Sequence, residues 1–239
     1  NCTRAYIGIN PFGFKWQLDP GDTFSTPEAV LVYSGEGIGE MSRIYHRLYR
    51  TRLCRGEYRD KERSCLINNW EATYFDFNEE KILKIAEQAQ KLGIEMLVLD
   101  DGWFGKRDDD NSGLGDWFVN EKKMNGSMAQ LAEKIHKMGM KFGLWFEPEM
   151  ISEDSDLYRA HPDWAFAVPG RVPNHGRNQL VLDMTRDDVR EYLLERLTTI
   201  VHDAEIDYVK WDMNRSICDI YSHVAAQNRN GELYHRYVL

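Results

Sequence analysis

Residues 78–104, NEEKILKIAEQAQKLGIEMLVLDDGWF, decide how this chain folds. Asn78 is a helix cap: its side-chain oxygen can accept an N–H left unpaired in the first turn. Ile82, Ile85, Ala86, Ala89 and Leu92 recur at helical spacing and share one face. Gly93 is the stop signal. The run 96–100 is then apolar without alternation up to Asp100, as in a strand covered on both faces.

The same unit recurs on either side. Ser127 caps a second helix with Leu131, Ile135 and Met138 inward and Gly139 as its stop, and 142–146 is the next strand. Upstream, 65–69 is a short apolar run. Downstream come 180–183, a helix over 186–203 carrying Val189, Leu193, Leu197 and Ile200, and a strand at 206–212. Strands alternating with amphipathic helices give an α/β fold with a parallel sheet, either doubly wound or a (β/α)₈ TIM barrel. A whole barrel takes about 250 residues, so residues 64–239 would hold only its first half, about four βα units. The long stretches 101–126 and 148–178 both follow strand ends, where a barrel builds its active face.

Before residue 64 the character changes. Residues 1–36 are rich in Gly, Pro, Phe and Tyr and include a strand-like run at 29–33. Residues 38–53 have helical spacing through Ile38, Met41, Ile44, Tyr45, Leu48 and Tyr49. Residues 55–63, RGEYRDKER, are charged and aperiodic, so 37–63 forms a linker helix and loop. GEGIGE (35–40) imitates a dinucleotide loop, but Glu40 stands where a third glycine is wanted and would face a pyrophosphate with the wrong charge.

The chain has 239 residues, 42% hydrophobic and 29% charged, and a net charge of −9. Those are globular proportions. The acidity disfavours nucleic acid and anionic membranes and suits a cytoplasmic protein with a neutral substrate. The longest uncharged stretch, residues 5–14, is too short and too polar to span a membrane. Cys2, Cys54, Cys65 and Cys218 form no CxxC pair and are expected as reduced, buried thiols. No metal or cofactor is expected.

Three strand ends carry carboxylates and tryptophan together: LVLDDGWF (97–104), FGLWFEPEM (142–150) and YVKWDMN (208–214). Such residues are costly to desolvate, and one instance alone is as well explained by a cap or turn. Three on strand ends of the same sense point to chemistry. Alternation puts Lys210 and Asp212 on one face, where Lys210 would keep Asp212 ionised as a nucleophile or electrostatic stabiliser. The structural alternative is a core ion pair. Asp100 and Asp101 offer adjacent acceptors for sugar hydroxyls; the alternative, a metal site, lacks further ligands at a matching spacing. Trp70, Trp103, Trp145 and Trp211 are candidates for stacking on a sugar ring, and Arg177 for a fixed multi-donor contact.

LVLDDGWF, RDDDNSGLGDW (107–117), LWFEPEM, GRNQLVLDM (176–184) and YVKWDMNR occur in an order that resembles the α-galactosidases of glycoside hydrolase family 36, from about residue 6 to about residue 224. The resemblance implies an N-terminal β-sandwich ending within 1–36, then the catalytic barrel. It implies a retaining double displacement on α-galactoside oligosaccharides such as melibiose and raffinose. Asp212 would be the nucleophile and Lys210 would contact the sugar and tune it. Asp100 and Asp101 would bind the 4- and 6-hydroxyls, with Trp70, Trp145, Arg177 and Asn214 lining the same subsite. The strand at 180–183 would belong to an excursion rather than to the barrel wall. The family's acid/base is expected on a later strand, outside this chain, because Asp219 sits in a stretch that looks helical; the chain thus reads as an internal piece. A homo-oligomer, a tetramer, is implied for the full-length protein. An α-N-acetylgalactosaminidase, a raffinose-type galactosyl transferase and a carbohydrate-binding fragment without turnover are the alternatives.

Overall fold

The computed structural model describes residues 2–239, in two units that divide between Arg63 and Ser64. In the first, α1 (Gly37–Leu48) runs into a single π-helical turn, Tyr49–Leu53, instead of continuing as α-helix. Thr51 Oγ donates back to the carbonyls of Arg47 and Leu48 at 2.8 and 3.3 Å, a competing bond of the kind that distorts a helix end. Glu40 pairs with Arg43 and Arg47, both at 2.7 Å. The strand expected at 29–33 does not form: Leu31 and Tyr33 are exposed. A strand needs a ladder partner, and the described residues of 2–63 include no strand to pair with.

The second unit is built on four parallel strands, β1 (Leu66–Asn68), β2 (Met96–Leu99), β3 (Lys141–Phe146) and β6 (Tyr208–Trp211), in the order β1-β2-β3-β6. The register runs Leu66↔Met96, Met96↔Lys141 and Gly143↔Tyr208. After β1 come a short α2 (Trp70–Thr73) and α3 (Glu79–Lys91); after β2, α4 (Glu121–Met124) and α5 (Met128–Lys137). Asn78 caps α3 by accepting Lys81 N–H at 3.0 Å. Ser127 and Gln130 form a reciprocal capping box on α5. The faces of α3 and α5 bury Ile82, Ala86 and Ala89, and Leu131, Ala132 and Ile135. Leu92, expected on the inner face of α3, is instead exposed, because the helix turns at Gly93 with φ +80° before it can face the core.

After β3 the chain makes an excursion. β4 (Met150–Ile151) pairs antiparallel with β5 (Leu180–Val181), with α6 (Asp156–Ala160) between them. The 180–183 segment therefore lies outside the parallel sheet. α7 (Asp187–Asp203) leads back to β6, where Asp207 Oδ2 accepts both His136 Nε2, at 2.8 Å, and Phe142 N–H, at 2.9 Å, tying α5 and β3 to the start of β6. α8 (Leu233–Val238) follows. Asp219 is not helical: it sits in a bend at φ +50°. All four cysteines are free, but Cys2, Cys54 and Cys65 are exposed rather than buried. Cys2 and Cys54 lie in the first unit, which buries none of its described residues.

Candidate active site at the strand ends

Because the four strands are parallel, their C-terminal ends emerge on one edge of the sheet. That edge carries Asn68 to Trp70, Asp100 and Asp101, Trp145 and Glu147, and Lys210, Asp212 and Asn214.

Asp212 is fixed by its own strand and its neighbour. Its N–H donates to Phe146 O at 2.8 Å. Its Oδ2 accepts the Trp145 indole N–H at 3.0 Å and Asn214 Nδ2 at 2.9 Å, and its Oδ1 accepts Met213 N–H at 3.0 Å. Partial burial pushes its pKa up, but the bonds from Trp145 and Asn214, the Lys210 charge and the Met213 N–H outweigh burial and hold it below the usual carboxylate value. The group is an ionised acceptor at rest.

The structural alternative, a Lys210–Asp212 ion pair, does not form. Lys210 Nζ donates instead to Asp100 Oδ2 at 2.7 Å, across to the end of β2, and acts on Asp212 only through its charge. Asn68 Nδ2 reaches the same oxygen of Asp100 at 2.5 Å, while Asp100 N–H donates to Asn69 Oδ1 at 2.8 Å. Asp101 is gripped by Arg107, with Nε to Oδ1 at 3.0 Å and Nη2 to Oδ2 at 2.9 Å. Arg107 is only 1% exposed. Burial raises the pKa of Asp101 in spite of Arg107, and the neighbouring Asp100 charge adds to the rise. Both aspartates thus already have protein partners, and each keeps acceptor lone pairs for an incoming hydroxyl. Gly102 makes the turn below them at φ +101°; a Cβ there would meet Phe75 at 3.0 Å and the Arg107 carbonyl at 3.3 Å.

The tryptophans divide. Trp70 is half-buried, with Tyr74 and Phe75 edge-on at 5.2 and 5.0 Å. Trp103 and Trp145 are buried in an aromatic cluster with Phe104, Trp117 and Phe146, so neither offers a ring face to a ligand. The contribution of Trp145 is its N–H to Asp212. Trp211 is exposed and donates to Glu149 at 2.8 Å. Arg177 and Asn178, both at positive φ, form the two-residue tip of a turn closed by Gly176 and Gln179. Arg177 is exposed.

Sequence reading passed over Glu147, Asn68, Asn69, Gln179 and Arg107. Glu147 is 1% exposed; its Oε1 accepts Asn214 N–H at 2.6 Å and its Oε2 accepts Gln179 Nε2 at 3.0 Å. Burial raises its pKa against those bonds, and the Asp212 charge raises it further. The signal was present: alternation through LWFEP puts Glu147 on the face of Trp145. Among the described residues, no group of three His, Cys, Asp or Glu side chains could hold a metal ion. Among the described residues, no helix is long and apolar enough to cross a membrane.

The melibiase family profile matches residues 23–239, and the chain belongs to that family. It is similar to α-galactosidase AgaA of Geobacillus stearothermophilus, 56% identical over 236 residues, which cover 99% of this chain and 32% of that protein. Mel36A, an α-galactosidase of Lactobacillus acidophilus, is 53% identical over 97% of this chain and 32% of its own length. The crystal structure of AgaA superposes with a TM-score of 0.94 at 57% identity, covering 96% of this chain and 32% of that one. Variants of AgaA have been solved in complex with raffinose and with stachyose. The chain spans about a third of the length of the curated relatives it matches.

Proposed function

We propose that this chain supplies the nucleophile and most of the galactose-binding groups of a retaining α-galactosidase acting on oligosaccharides such as melibiose and raffinose. The observation that carries the reading is Asp212: a carboxylate kept ionised by three N–H donors, on the sheet edge that also bears Asp100 and Asp101. The raffinose and stachyose complexes of AgaA support the substrate class. In this reading the parallel sheet is the first half of a (β/α)₈ barrel, about four βα units within 64–239, preceded by a linker at 37–63 and the end of a sandwich domain at 1–36.

The chemistry is a double displacement. An Asp212 oxygen attacks the anomeric carbon, the bond to the departing oxygen breaks, and a galactosyl ester forms. The departing oxygen takes a proton from a general acid. Water, deprotonated by the same group, then attacks the anomeric carbon and frees Asp212 with net retention. Two carboxyls near Asp212 have raised pKa values, Asp101 and Glu147. Neither suits the proton transfer: Asp101 is bound in a fork by Arg107, and Glu147 is buried with both oxygens occupied. The family resemblance assigns the acid/base to a later strand, outside this chain.

A full-length protein containing this chain should hydrolyse nitrophenyl α-galactoside, melibiose and raffinose in preference to the α-N-acetylgalactosaminide and α-glucoside, releasing α-galactose first by NMR. A preference for the N-acetylated sugar, or β-galactose as first product, would overturn the reading. The 239-residue chain alone lacks acid catalysis, worth roughly 10²–10⁴-fold. It should give at most one covalent galactosyl unit from dinitrophenyl galactoside by intact mass. Steady melibiose hydrolysis by the chain alone would show that an acid/base lies within it.

A further inference from the structure

We infer that Glu147 is a positioning residue that sets the nucleophile and the Arg177 turn from one buried carboxylate; this rests on the α-galactosidase reading above. The argument is geometric. One oxygen of Glu147 accepts the backbone N–H of Asn214 at 2.6 Å. Asn214 in turn delivers its side-chain N–H to Asp212 Oδ2 at 2.9 Å. The other oxygen accepts Gln179 Nε2 at 3.0 Å. Gln179 closes the turn with Gly176, through N–H···O bonds of 3.0 and 3.2 Å in the two directions. Arg177 and Asn178 are the tip of that turn.

Nothing exposed could do this job as well. Glu147 and Gln179 are 1% and 2% exposed, so neither bond competes with solvent. Arg215 steadies the far side of the turn, donating through Nη1 to the carbonyls of Asn174 and Gln179 at 2.7 and 2.5 Å. The backbone of the turn is thus held from both flanks, while Arg177 at its tip is exposed. The group that would grip substrate and the group that would attack it share Glu147 as a common anchor.

The anchor works by reach rather than by charge, and this separates two substitutions. Glu147→Gln keeps the length. Its carbonyl can accept Asn214 N–H, and its amide can donate to Gln179 once that side chain turns over. Turning it breaks no other bond at the oxygen, because Gln179 Oε1 is buried without a partner. Glu147→Asp keeps the charge but draws the oxygens back by one methylene and cannot meet both partners. Gln179→Met cuts the link to the turn alone.

The test uses a full-length protein containing this chain, assayed on nitrophenyl α-galactoside with melting temperature as the folding control. Glu147→Gln should keep kcat/KM within about fivefold. Glu147→Asp should lose 30-fold or more, with kcat lowered and KM raised together. Gln179→Met should raise KM at least fivefold with kcat within threefold. An active Asp variant with a dead Gln variant would mean that charge, not reach, matters, and would overturn the proposal, as would two unaffected or two dead variants. If the Asp variant does not fold, Gln179→Met decides: an unchanged KM overturns the proposal. Failure of the galactosidase reading is visible separately, as a wild-type protein that leaves the galactoside intact. Crystals of the Glu147→Asp variant then decide without turnover: displaced Asn214 and Gly176–Gln179 turn support the proposal, and unmoved ones overturn it.

Discussion

Asp101 and Asp212 are the same residue type, each just past the end of a parallel strand, yet their environments drive them in opposite directions. Asp101 is buried and bound by a cation held in a fork, and its pKa still rises because the cost of burial exceeds what Arg107 returns. Asp212 is half-buried and forms no ion pair, and its pKa falls because three short N–H donors outweigh a smaller burial cost. Depth decides more than the sign of the neighbour. The Asp101–Arg107 end is built as structure that can also accept hydroxyls, whereas the Asp212 end is built to keep a negative charge available.

The sharpest way to break that contrast is Asp212→Asn in a full-length protein. Turnover should fall by about 10⁴-fold or more, since the proposed nucleophile loses its charge, with melting little changed. A variant retaining a tenth of the activity would make Asp212 an ordinary polar residue. Asp101→Ala should weaken galactoside binding and, unlike Asp212→Asn, unfold the protein more readily, because Arg107 is left buried without its carboxylate. The cost is about 3–5 kcal/mol, or roughly 6–20 °C in melting temperature for a domain of this size. Recovery of stability in Asp101→Ala with Arg107→Met would sharpen the point; an unshifted melting curve for Asp101→Ala would break it. The smallest effect belongs to Trp145→Phe. It removes one of the donors that lower the pKa of Asp212 while leaving the burial that raises it, so that pKa must rise. The acidic limb of the kcat/KM profile should move to higher pH. A limb that stays in place or moves to lower pH would show that the indole N–H does not tune the nucleophile.

Much of the architecture was legible because its signals are local. Asn78 and Gly93, and Ser127 and Gly139, state the ends of α3 and α5 in the chain itself, and the apolar runs that became β2 and β3 need no partner to be recognised. Asp100 and Asp212 were legible from strand-end position, and Asn214 through the family resemblance. What failed was whatever depended on distant partners. The 29–33 run has strand composition, but a ladder cannot be read from one strand. Arg107 opens a run of aspartates and looks solvated; only the fold turns it inward onto Asp101. Lys210 and Asp212 do share a face, yet alternation says nothing of the strand two places away in the sheet, and Asp100 there is the nearer partner. Trp145 looked like a stacking ring because tryptophan at a strand end often is one, while its burial arises from residues spread between Trp103 and Phe146.

The position of β6 in the sheet has a consequence for the order in which the molecule assembles. Its partner residues in β3 are 65 positions away in the chain (143 to 208), against 30 between β1 and β2 (66 to 96). Closing the longer loop costs about 0.6 kcal/mol more per doubling. The strand that closes it also covers itself poorly: Tyr208, Val209 and Trp211 are exposed, whereas every residue of β2 is buried. In this chain β6 should therefore be the last of the four strands to join and the first to let go, with its backbone amides exchanging with deuterium ahead of those of β2 and β3. Lys210 lies on that strand and Asp212 just past its end. The proposed catalytic groups would then exist as a set only in molecules that have completed folding, and a partly assembled sheet would hold the Asp100–Asp101 end while lacking the proposed nucleophile.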